Sequence, residues 1–433
     1  MTEPAPEVRV VVVNYNGGEM TLACLRAIQA TDWPRDALET VLVDNGSSDG
    51  VLEAAERDLD IVTIRSDTNL GFAGGANLGL RDLPPATAYV AIVNNDVTVP
   101  ATWLRPLATV LASDPTCGAA CPKILLADRY EAVEVVGDPV RLSPLDRREV
   151  TVRISGVRVG GDDVLRRTRF GAGFLGPEFP PGDAVPFQWA SARATVLLPV
   201  LPGAPARELR LSAPARRSVV LRTGAEERTV TVGPSPTWVE LPAPAEPFDV
   251  INNVGSEVEP DGYARDRGYL ERDVGQFDDA ADVDAWCGAA VLLPASYLRT
   301  VGHFDDRLFA YYEDVELSLR GRPRWRYRTV PESVVRHVHM ATSSASAPRA
   351  LYFNERNRLL VLSRYAPRRT VVKAVARYVA STLSYLRRDV VSPLAHGRRP
   401  SWTVGLARMR ALRDCLRAWC GAAPAGPWSP KWQ

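Results

Sequence analysis

Four short apolar runs in the first hundred residues each end in a cluster of Asn, Asp, Gly or Ser. The runs cover residues 8–13, 39–43, 61–64 and 89–93, and the first three are each followed by a turn and a segment with helical spacing. Strand, turn and helix repeated in this order predict a mostly parallel, doubly wound α/β sheet. Because the carboxyl ends of parallel strands meet at one edge of a sheet, we expect the polar clusters to lie together there.

This edge has the chemistry of a site for a nucleoside diphosphate and a metal ion. A carboxylate after the second strand can bind ribose hydroxyls, and a carboxylate after the fourth strand can hold a divalent cation. Gly-rich helix starts can offer backbone N–H groups to phosphate. A dinucleotide fold is disfavoured because no G-x-G-x-x-G follows the first strand, and no Walker loop is present. The simpler alternative for Asn94-Asn95-Asp96 is a polar turn that ends a strand.

Length and composition indicate an ordinary globular protein. The chain has 433 residues, of which 46% are hydrophobic and 24% charged, enough for two or three domains. Its six cysteines have neither zinc-site spacing nor the density of a disulfide scaffold, which is typical of the reducing cytoplasm. The sequence shows no signal peptide and no apolar run of about 18 residues, so we expect a soluble or peripheral protein.

The motifs at the strand ends, taken together, resemble family 2 glycosyltransferases of the GT-A fold. The resemblance rests on residues 12–17, 43–50, 69–79 and 94–96, and it extends over residues 8–127 and 283–362. Bacterial rhamnosyl- and galactofuranosyltransferases are the closest in appearance. The resemblance implies an inverting enzyme that transfers rhamnose or galactofuranose from a dTDP- or UDP-linked donor. Its acceptor would be a hydroxyl of a lipid-linked or glycan molecule in cell-envelope polysaccharide synthesis.

The resemblance also implies a donor site at the strand ends. Its residues are Asn14, Tyr15, Asn16, Asp44, Asn45, Asn69, Gly74, Gly75, Asn77, Asn94, Asn95 and Lys123. Lys123 would face the donor's phosphates, and an ordinary surface lysine is the equal alternative.

A divalent cation, Mg²⁺ or Mn²⁺, is implied in the same way. The usual metal motif of the family is Asp-x-Asp, whereas here only Asp96 supplies a carboxylate. Two histidines two residues apart on a predicted strand are candidate ligands, because imidazole binds such ions. The resemblance favours His337, with His339 as the substitute.

Glu313 and Asp314 begin a predicted helix, a place where acids are common for dipole reasons alone. The resemblance implies that Asp314 is the catalytic base and that Glu313 supports it. A sugar hydroxyl is a poor nucleophile, and a carboxylate within hydrogen-bond reach can take its proton as the new bond forms. We expect the helix dipole to lower the pKa of Asp314.

Four further residues resemble acceptor-binding positions. Trp286 and Gly288 would form a surface on which a sugar ring stacks, and the alternative is a buried Trp beside a close backbone approach. Arg356 would bind phosphate, and Asn357 would cap a helix or bind sugar.

Changes in residue pattern and composition along the sequence predict four segments. They are a nucleotide-sugar-binding half (1–139), an inserted all-β sandwich (140–277), an acceptor-binding catalytic half (278–362) and a basic helical tail (363–433). The insert has short alternating runs separated by Pro- and Gly-rich turns. A carbohydrate-binding module and a packing or homo-oligomerisation element both fit it.

The tail is strongly basic. Thirteen Lys and Arg residues stand against two Asp between positions 364 and 420, with apolar residues at helical spacing among them. Such helices lie on anionic membrane surfaces, which would place the protein peripherally on the inner face of the cell membrane. A helical pair packed on the catalytic domain is the alternative. Nucleic acid is not expected as a partner because no recognition motif accompanies the charge.

Two other functions compete with envelope polysaccharide synthesis. One is a non-catalytic carbohydrate-binding scaffold, which the single carboxylate of Asp96 favours and the pair Glu313-Asp314 opposes. The other is a transferase to a small-molecule natural product, for which the basic tail would have no membrane to meet.

Overall fold

The computed structural model describes residues 4–421, apart from 144–145, 179–186, 205, 340–346, 396 and 398. Contacts divide the chain into two compact units. The first unit comprises residues 1–127, 251–376 and 408–433, and the second comprises residues 128–250 and 377–407.

The first unit is built on a ten-stranded mixed sheet. Its amino-terminal strands are β1 (Glu7–Asn14), β2 (Leu38–Asn45), β3 (Val62–Ser66), β4 (Thr87–Asn94), β5 (Val97–Thr98) and β6 (Cys117–Leu126). The second unit contributes β7 to β18, which are described below. The later strands of the large sheet are β19 (Ile251–Asn253), β22 (Asp282–Val283), β23 (Ala290–Pro294) and β24 (Arg326–His337). A separate hairpin pairs β20 (Ser256–Val258) with β21 (Ala264–Asp266).

The strand order of this sheet is β22-β24-β6-β23-β4-β1-β2-β3, with β19 beside β6 and β5 beside β24. Strands β3, β2, β1 and β4 are parallel to one another. The chain leaves β1 toward β2 on one side, and it later returns to β4 on the other side. The ends of β1, β2 and β4 therefore flank the topological switch point, where open α/β sheets bind ligands.

Helices cover this sheet because their apolar faces need burial. The helices before the insert are α1 (Glu19–Gln29), α2 (Val51–Asp58), α3 (Gly71–Gly79) and α4 (Leu104–Ser113). The later ones are α5 (Ala295–Val301) and α6 (Glu313–Gly321). The chain continues with α7 (Ala347–Tyr365), α8 (Arg368–Leu386), α9 (Ser392–Ala395) and α10 (Thr403–Trp419). A π-helical turn at Arg387–Val391 joins α8 to α9, and 3₁₀ turns occupy Arg35–Ala37 and Asp306–Leu308.

The second unit contains two five-stranded antiparallel sheets and one short hairpin. The first sheet joins β10 (Arg153–Val159), β11 (Asp162–Asp163), β13 (Gln188–Trp189), β15 (Arg207–Ser212) and β18 (Thr237–Glu240). The second joins β7 (Tyr130–Val136), β12 (Arg169–Phe170), β14 (Arg193–Pro199), β16 (Arg217–Thr223) and β17 (Glu226–Val232). The hairpin pairs β8 (Val140–Ser143) with β9 (Asp146–Val150). Buried residues from both sheets, such as Ile154 and Val196, share one core.

The predicted fold class is confirmed: a mostly parallel α/β sheet with an inserted all-β region and carboxyl-terminal helices. The segment bounds differ from the predicted ones. The β insert occupies 128–250 rather than 140–277, because β7 begins at Tyr130 and β19 pairs with β6 of the large sheet.

The predicted tail does not form one body either. Within the first unit, α10 is tied to α7 by a buried ion pair between Arg408 and Glu355 and by a hydrogen bond from Tyr352 to Asp414. Residues 396, 398 and 422–433 of the tail lie outside the described part. Among the described residues, no helix is both long enough and apolar enough to cross a bilayer.

Candidate active site

Asn14, the last residue of β1, is the centre of a buried polar network. Its Oδ1 accepts hydrogen bonds from the Gly17 N–H (3.1 Å) and the Thr21 hydroxyl (2.8 Å). Its Nδ2 donates to Ser47 Oγ, 3.0 Å away in the loop after β2. Asn14 thus fixes the turn that starts α1 and ties it to the neighbouring strand end.

Asn95, directly after β4, joins the same network. Its Nδ2 donates to Thr21 Oγ1 at 2.9 Å and approaches Asn14 Oδ1 at 3.3 Å. A Cβ at Gly17 would lie 2.2 Å from that nitrogen, so only glycine fits this position. The structure therefore brings together the ends of β1, β2 and β4 as the sequence predicts.

Asn45 and Asn69 hold the start of α3. Asn45 donates from Nδ2 to the Gly71 carbonyl (2.9 Å), and its Oδ1 accepts the Leu70 N–H (2.9 Å). The Gly71 N–H donates to Asn69 Oδ1 (2.8 Å), and the Ala73 N–H donates to the Phe309 carbonyl (3.1 Å). These amides are occupied within the chain, so they do not form the phosphate cradle expected from a Gly-rich helix start.

The remaining predicted donor residues of α3 serve packing, which corrects their assignment. A Cβ at Gly75 would lie 2.7 Å from Val13 Cγ1, so this glycine lets α3 lie close on the sheet. A Cβ at Gly74 would lie 2.7 Å from Leu70 Cβ. Asn77 accepts the Phe304 N–H and donates to the Phe304 carbonyl, each at 3.0 Å. Sequence spacing could not separate helix packing from ligand contact.

A cleft of about 450 Å³ opens beside the ends of β2 and β3. Its polar lining includes Asp44, Asp49, Arg65 and Asp67. Of these, only Asp44 had been predicted; the Ser-Ser-Asp turn after β2 was the signal for Asp49. Tyr15 is 41% exposed after β1, and Asn16 accepts the Ser48 N–H at 2.9 Å.

Asp96 and His337 are brought into direct contact by the pairing of β5 with β24, in which His337 lies opposite Val97. His337 Nε2 lies 3.0 Å from Asp96 Oδ1. On the other side of the ring, Nδ1 lies 2.7 Å from Asn252 Oδ1. Burial tends to raise the pKa of Asp96, but His337 and His339 outweigh it and hold that pKa below its usual value.

These residues fit a divalent cation as a partial ligand set. A carboxylate oxygen and an imidazole nitrogen face each other, and Asn252 orients the ring by bonding its other nitrogen. The described residues contain no group of three or more His, Cys, Asp or Glu side chains arranged to hold a metal. Sequence reasoning missed Asn252, which lies in a segment without a recognisable motif.

Asp314 sits at the start of α6 with both carboxylate oxygens hydrogen-bonded. Oδ2 accepts the Gly288 N–H at 2.8 Å, and Oδ1 accepts the Val315 N–H at 2.7 Å. Burial nevertheless raises the pKa of Asp314 to about 6. The expectation that the helix dipole would lower this pKa is wrong, because the loss of hydration outweighs the dipole.

Glu313 is buried, and burial together with the charge of Asp314 raises its pKa well above the usual value. Within the described part of the chain, its Oε2 has no hydrogen-bond partner. Burial and the neighbouring carboxylate of Asp314 therefore both favour the protonated form of Glu313.

Asp266, which the sequence analysis missed, lies near both ends of the site. It is a hydrogen-bond acceptor for Asn253 Nδ2 at 2.6 Å, and burial raises its pKa. His337 acts on the pKa of Asp266, and the charge of Asp266 contributes to the raised pKa of Asp314. Asp266 lies in a Gly- and Pro-rich stretch, and no sequence motif there marks it as a site residue.

The turn that precedes α6 is strained. Phe309, Tyr311 and Tyr312 all have positive φ, between 66° and 69°, which side chains other than glycine rarely adopt. Such strain persists only where the surroundings fix it. Asn357 Nδ2 donates to the carbonyls of Leu308 (2.9 Å), Ala310 (2.9 Å) and Tyr311 (2.6 Å).

Arg356 holds the same turn, since its guanidinium donates to the carbonyls of Arg307 (2.7 Å) and Leu308 (2.9 Å). Arg356 and Asn357 are 6% and 0% exposed. The prediction that they contact the acceptor is corrected: their polar atoms bind the backbone that delivers Asp314.

Trp286 and Lys123 also need correction. Trp286 is fully buried and packs edge-on against Phe304, with ring centroids 6.0 Å apart, so no sugar can stack on it. Lys123 is 5% exposed and forms ion pairs with Asp273 and Asp278. Its ammonium is neutralised within the chain rather than directed at a phosphate.

Comparison with known proteins agrees with this geometry over the amino-terminal part. Residues 9–130 match the family model described as Glycosyl transferase family 2. Glycosyltransferase AglE of Haloferax volcanii is 30% identical over 111 residues, which are 24% of this chain and 35% of the relative. This chain therefore spans about a third of the length of that relative.

Solved structures give weaker likenesses. A crystal structure of GalNAc-T7 with UDP, GalNAc and Mn²⁺ has a TM-score of 0.43 at 13% identity, over 83% of this chain and 48% of that one. The mannosyltransferase PcManGT of Pyrobaculum calidifontis, in complex with GDP-Man and Mn²⁺, has a TM-score of 0.40 at 15% identity, over 98% and 79%. The predicted closeness to rhamnosyl- and galactofuranosyltransferases stays a prediction. The part of this chain that is similar to glycosyl transferase family 2 is thus residues 9–130, which carry strands β1 to β6.

Proposed function

We propose that this protein transfers a sugar from a nucleoside diphosphate donor to a hydroxyl acceptor, with inversion at the anomeric carbon. The observation that carries the proposal is Asp314: a carboxylate anchored by the Gly288 N–H, with its pKa raised to about 6, in the same unit as the family 2 segment. A group with this pKa is ionised at neutral pH and is a stronger base than an ordinary Asp.

We propose that the donor's nucleoside binds in the cleft beside β2 and β3. Asp44 can accept hydrogen bonds from ribose hydroxyls, and Arg65 and Asp67 offer polar contacts to the base. The volume of about 450 Å³ lies within the usual range of ligand pockets. From the resemblance of the sequence we propose dTDP-rhamnose or UDP-galactofuranose as the donor.

Asp96 and His337 would hold a divalent cation, Mg²⁺ or Mn²⁺. When bound, the cation supplies charge that stabilises the diphosphate leaving group. Asn252 keeps the imidazole ring oriented, since it bonds the nitrogen that faces away from Asp96. The ammonium of Lys123 is already engaged in two ion pairs within the chain. A bound cation would therefore supply the positive charge beside the donor's phosphates.

In the reaction, an oxygen of Asp314 accepts the proton of the acceptor hydroxyl as that hydroxyl's oxygen bonds to the anomeric carbon. The bond from this carbon to the donor's diphosphate oxygen breaks at the same time, and the diphosphate leaves with the electron pair. Attack from the face opposite the diphosphate inverts the carbon. Asn357 and Arg356 contribute by holding the strained turn that positions Asp314.

For the acceptor we propose a lipid-linked or glycan molecule used in cell-envelope polysaccharide synthesis, at the inner face of the cell membrane. Support comes from the helical segment of residues 377–407, which exposes five large apolar side chains beside its arginines. They are Val379, Leu383, Val391, Leu394 and Trp402, between 38% and 61% exposed. Apolar residues flanked by cations are typical of helices that lie on anionic bilayers.

The lipid proposal is tested by substituting the apolar residues, because α10 packs in the first unit and deletion of the tail would disrupt that packing. We expect Leu383→Gln with Leu394→Gln to reduce flotation with vesicles of 30% phosphatidylglycerol by about tenfold. Val62→Gln with Val274→Gln, which removes two exposed apolar side chains of the first unit, is the matched control. Equal flotation of both variants and the wild type would remove the membrane from the proposal.

The donor proposal is tested by thermal unfolding of the purified protein with dTDP-rhamnose, UDP-galactofuranose, UDP-glucose or GDP-mannose. Each donor is combined with Mg²⁺, Mn²⁺ or EDTA. A ligand that binds only the folded state raises Tm. We expect a selective rise that EDTA removes and that Asp96→Asn reduces. If no donor shifts Tm under any ionic condition, the nucleotide-sugar assignment is contradicted and the non-catalytic alternative gains.

A further inference from the structure

One outward face of the inserted sandwich carries arginines stacked on aromatic rings. In the sheet that contains β10, the buried side chains of Ile154 and Leu209 point into the core. The alternating side chains point outward, and cross-strand pairing places Arg158 opposite Glu208 and Arg210 opposite Trp238. This side of the sheet is not used by the site described above.

Two of these arginines are pre-positioned by the rings. The Arg158 guanidinium lies 4.1 Å from the centroid of the Trp238 ring, and that of Arg153 lies 5.0 Å from the Phe187 ring. The Trp238 ring reaches across two strands to Gly156, where a Cβ would come within 2.9 Å of Trp238 Cη2. Gly156 lies where a β-bulge shifts the register of β10, between Ile154 and Val157.

Among the described residues, neither of these arginines forms a salt bridge with a carboxylate, in contrast to other arginines of the second unit. Eight described arginines of this unit form salt bridges with Asp or Glu: Arg141, Arg148, Arg167, Arg193, Arg207, Arg222, Arg228 and Arg388. Within the described residues, Arg153 bonds the Ser212 hydroxyl instead, and Arg158 only stacks. Burial lowers the pKa of Arg153, and the charge of neighbouring Arg210 acts in the same direction against the opposite effect of Glu178.

The chemistry of this face favours an anionic ligand with ring faces. A guanidinium stacked on an aromatic ring still directs its N–H donors outward in its own plane. There they can form two parallel hydrogen bonds to a carboxylate or phosphate. Neighbouring strands are about 4.8 Å apart, a spacing comparable with one sugar residue. Glu208 and Glu240 also lie on this face, and Glu240 pairs with Arg228 at 3.2 Å. Their charges oppose a dense polyanion such as nucleic acid, whereas they can accept hydrogen bonds from sugar hydroxyls.

We propose that this arginine–aromatic face, formed by Arg153, Arg158, Arg210, Phe187 and Trp238, binds a glycan that carries carboxylate or phosphate groups. The inserted sandwich is then a glycan-binding element of its own. Binding needs neither the donor nor the cation, so the proposal stands or falls independently of the transferase chemistry.

The experiment is affinity electrophoresis of the full-length protein in gels that contain polygalacturonate, phosphomannan or neutral dextran. Polygalacturonate supplies carboxylates and phosphomannan supplies phosphates, so the two gels identify the anionic group. We expect retardation by at least one of them, little by dextran, and an apparent Kd about tenfold weaker for Arg153→Gln with Arg158→Gln.

The matched control is Arg193→Gln with Arg222→Gln, which removes the same charge from the other sheet, where both arginines pair with Glu134. We expect it to change the apparent Kd by less than about twofold. Trp238→Phe keeps a ring on the face and should weaken binding less than Trp238→Ala, with circular dichroism checking that both variants fold.

Three results would overturn the proposal. They are absence of retardation by both anionic glycans, equal loss in the control pair, and equally tight binding of polyglutamate, which has the charge without the sugar. Thermal shifts with nucleotide sugars, measured on the same variants, should stay at the wild-type value. A protein that fails the donor screen but binds glycan would therefore contradict the transferase proposal alone.

Discussion

The two halves of the α/β unit build the candidate site in different ways. In residues 8–96 the predicted polar side chains at the strand ends mostly bond to one another, as Asn14 does with Thr21 and Ser47. In residues 283–358 the predicted acceptor side chains bond to backbone or are buried in the core, as Asn357 and Trp286 show. The difference teaches that a strand end fixes where a polar side chain lies, whereas a helix leaves open what it contacts.

The largest expected effect is on Asp314, the residue of the second half that retains a proposed chemical role. Asp314→Asn keeps the hydrogen bond from Gly288 possible but removes the base, so we expect kcat to fall by roughly 10²–10⁴-fold with donor binding retained. The measurement is initial-rate kinetics beside a donor thermal shift. Asp36→Asn, at an exposed acid in the 3₁₀ turn Arg35–Ala37, is the control. A fully active Asp314→Asn protein would show that Asp314 is not the catalytic base.

The next effect separates a positioning residue from an acceptor ligand. Asn357→Ala leaves three backbone carbonyls of a strained turn without their donor, so we expect the free energy of unfolding to fall by about 3 kcal/mol. Asn354→Ala, on the same helix, removes a single bond to the Ala350 carbonyl and should cost less than about 1 kcal/mol. Urea unfolding measures both. A rise in acceptor KM with unchanged stability would restore the acceptor role and break the comparison.

A smaller effect concerns stability rather than rate. Folding raises the pKa of Asp314 from 3.8 to about 6, so the folded state holds the proton more tightly than the unfolded state. Stability therefore falls as pH rises through this window, and the loss is complete above pH 6. Since Asn cannot ionise, we expect Asp314→Asn to be more stable than the wild type at pH 8 by about 1–3 kcal/mol.

The same reasoning requires that this difference disappear below about pH 4, where Asp314 is protonated in both states. Urea unfolding at pH 8, 6 and 4 tests it, with Asp36→Asn again as the control. Equal stability of Asp314→Asn and the wild type at all three pH values would mean that the carboxylate is not destabilised by burial. If the wild type were instead more stable than Asp314→Asn at pH 8, the first expectation, a dipole-lowered pKa, would be restored.

The sequence predicted the α/β class and the cluster at the strand ends. Its family resemblance named Asp96 and His337 as metal ligands, and this role stays a prediction. The sequence did not predict Asn252 or Asp266, because these residues lie in a stretch without periodicity or motif and meet the site only through the pairing of β19 with β6. The true bounds of the insert were missed for the same reason. Pairing with a distant strand leaves no trace in the local residue pattern.

What the sequence determined by itself is the arrangement that local rules control. Apolar runs form strands, and strands of a doubly wound sheet end at one edge, so Asn14, Asp44 and Asp96 had to lie near one another. What only the tertiary structure decided is the environment of each group. Whether Asp314 has a lowered or a raised pKa, and whether Arg356 meets a ligand or the backbone, depends on burial and on partners far apart in the chain.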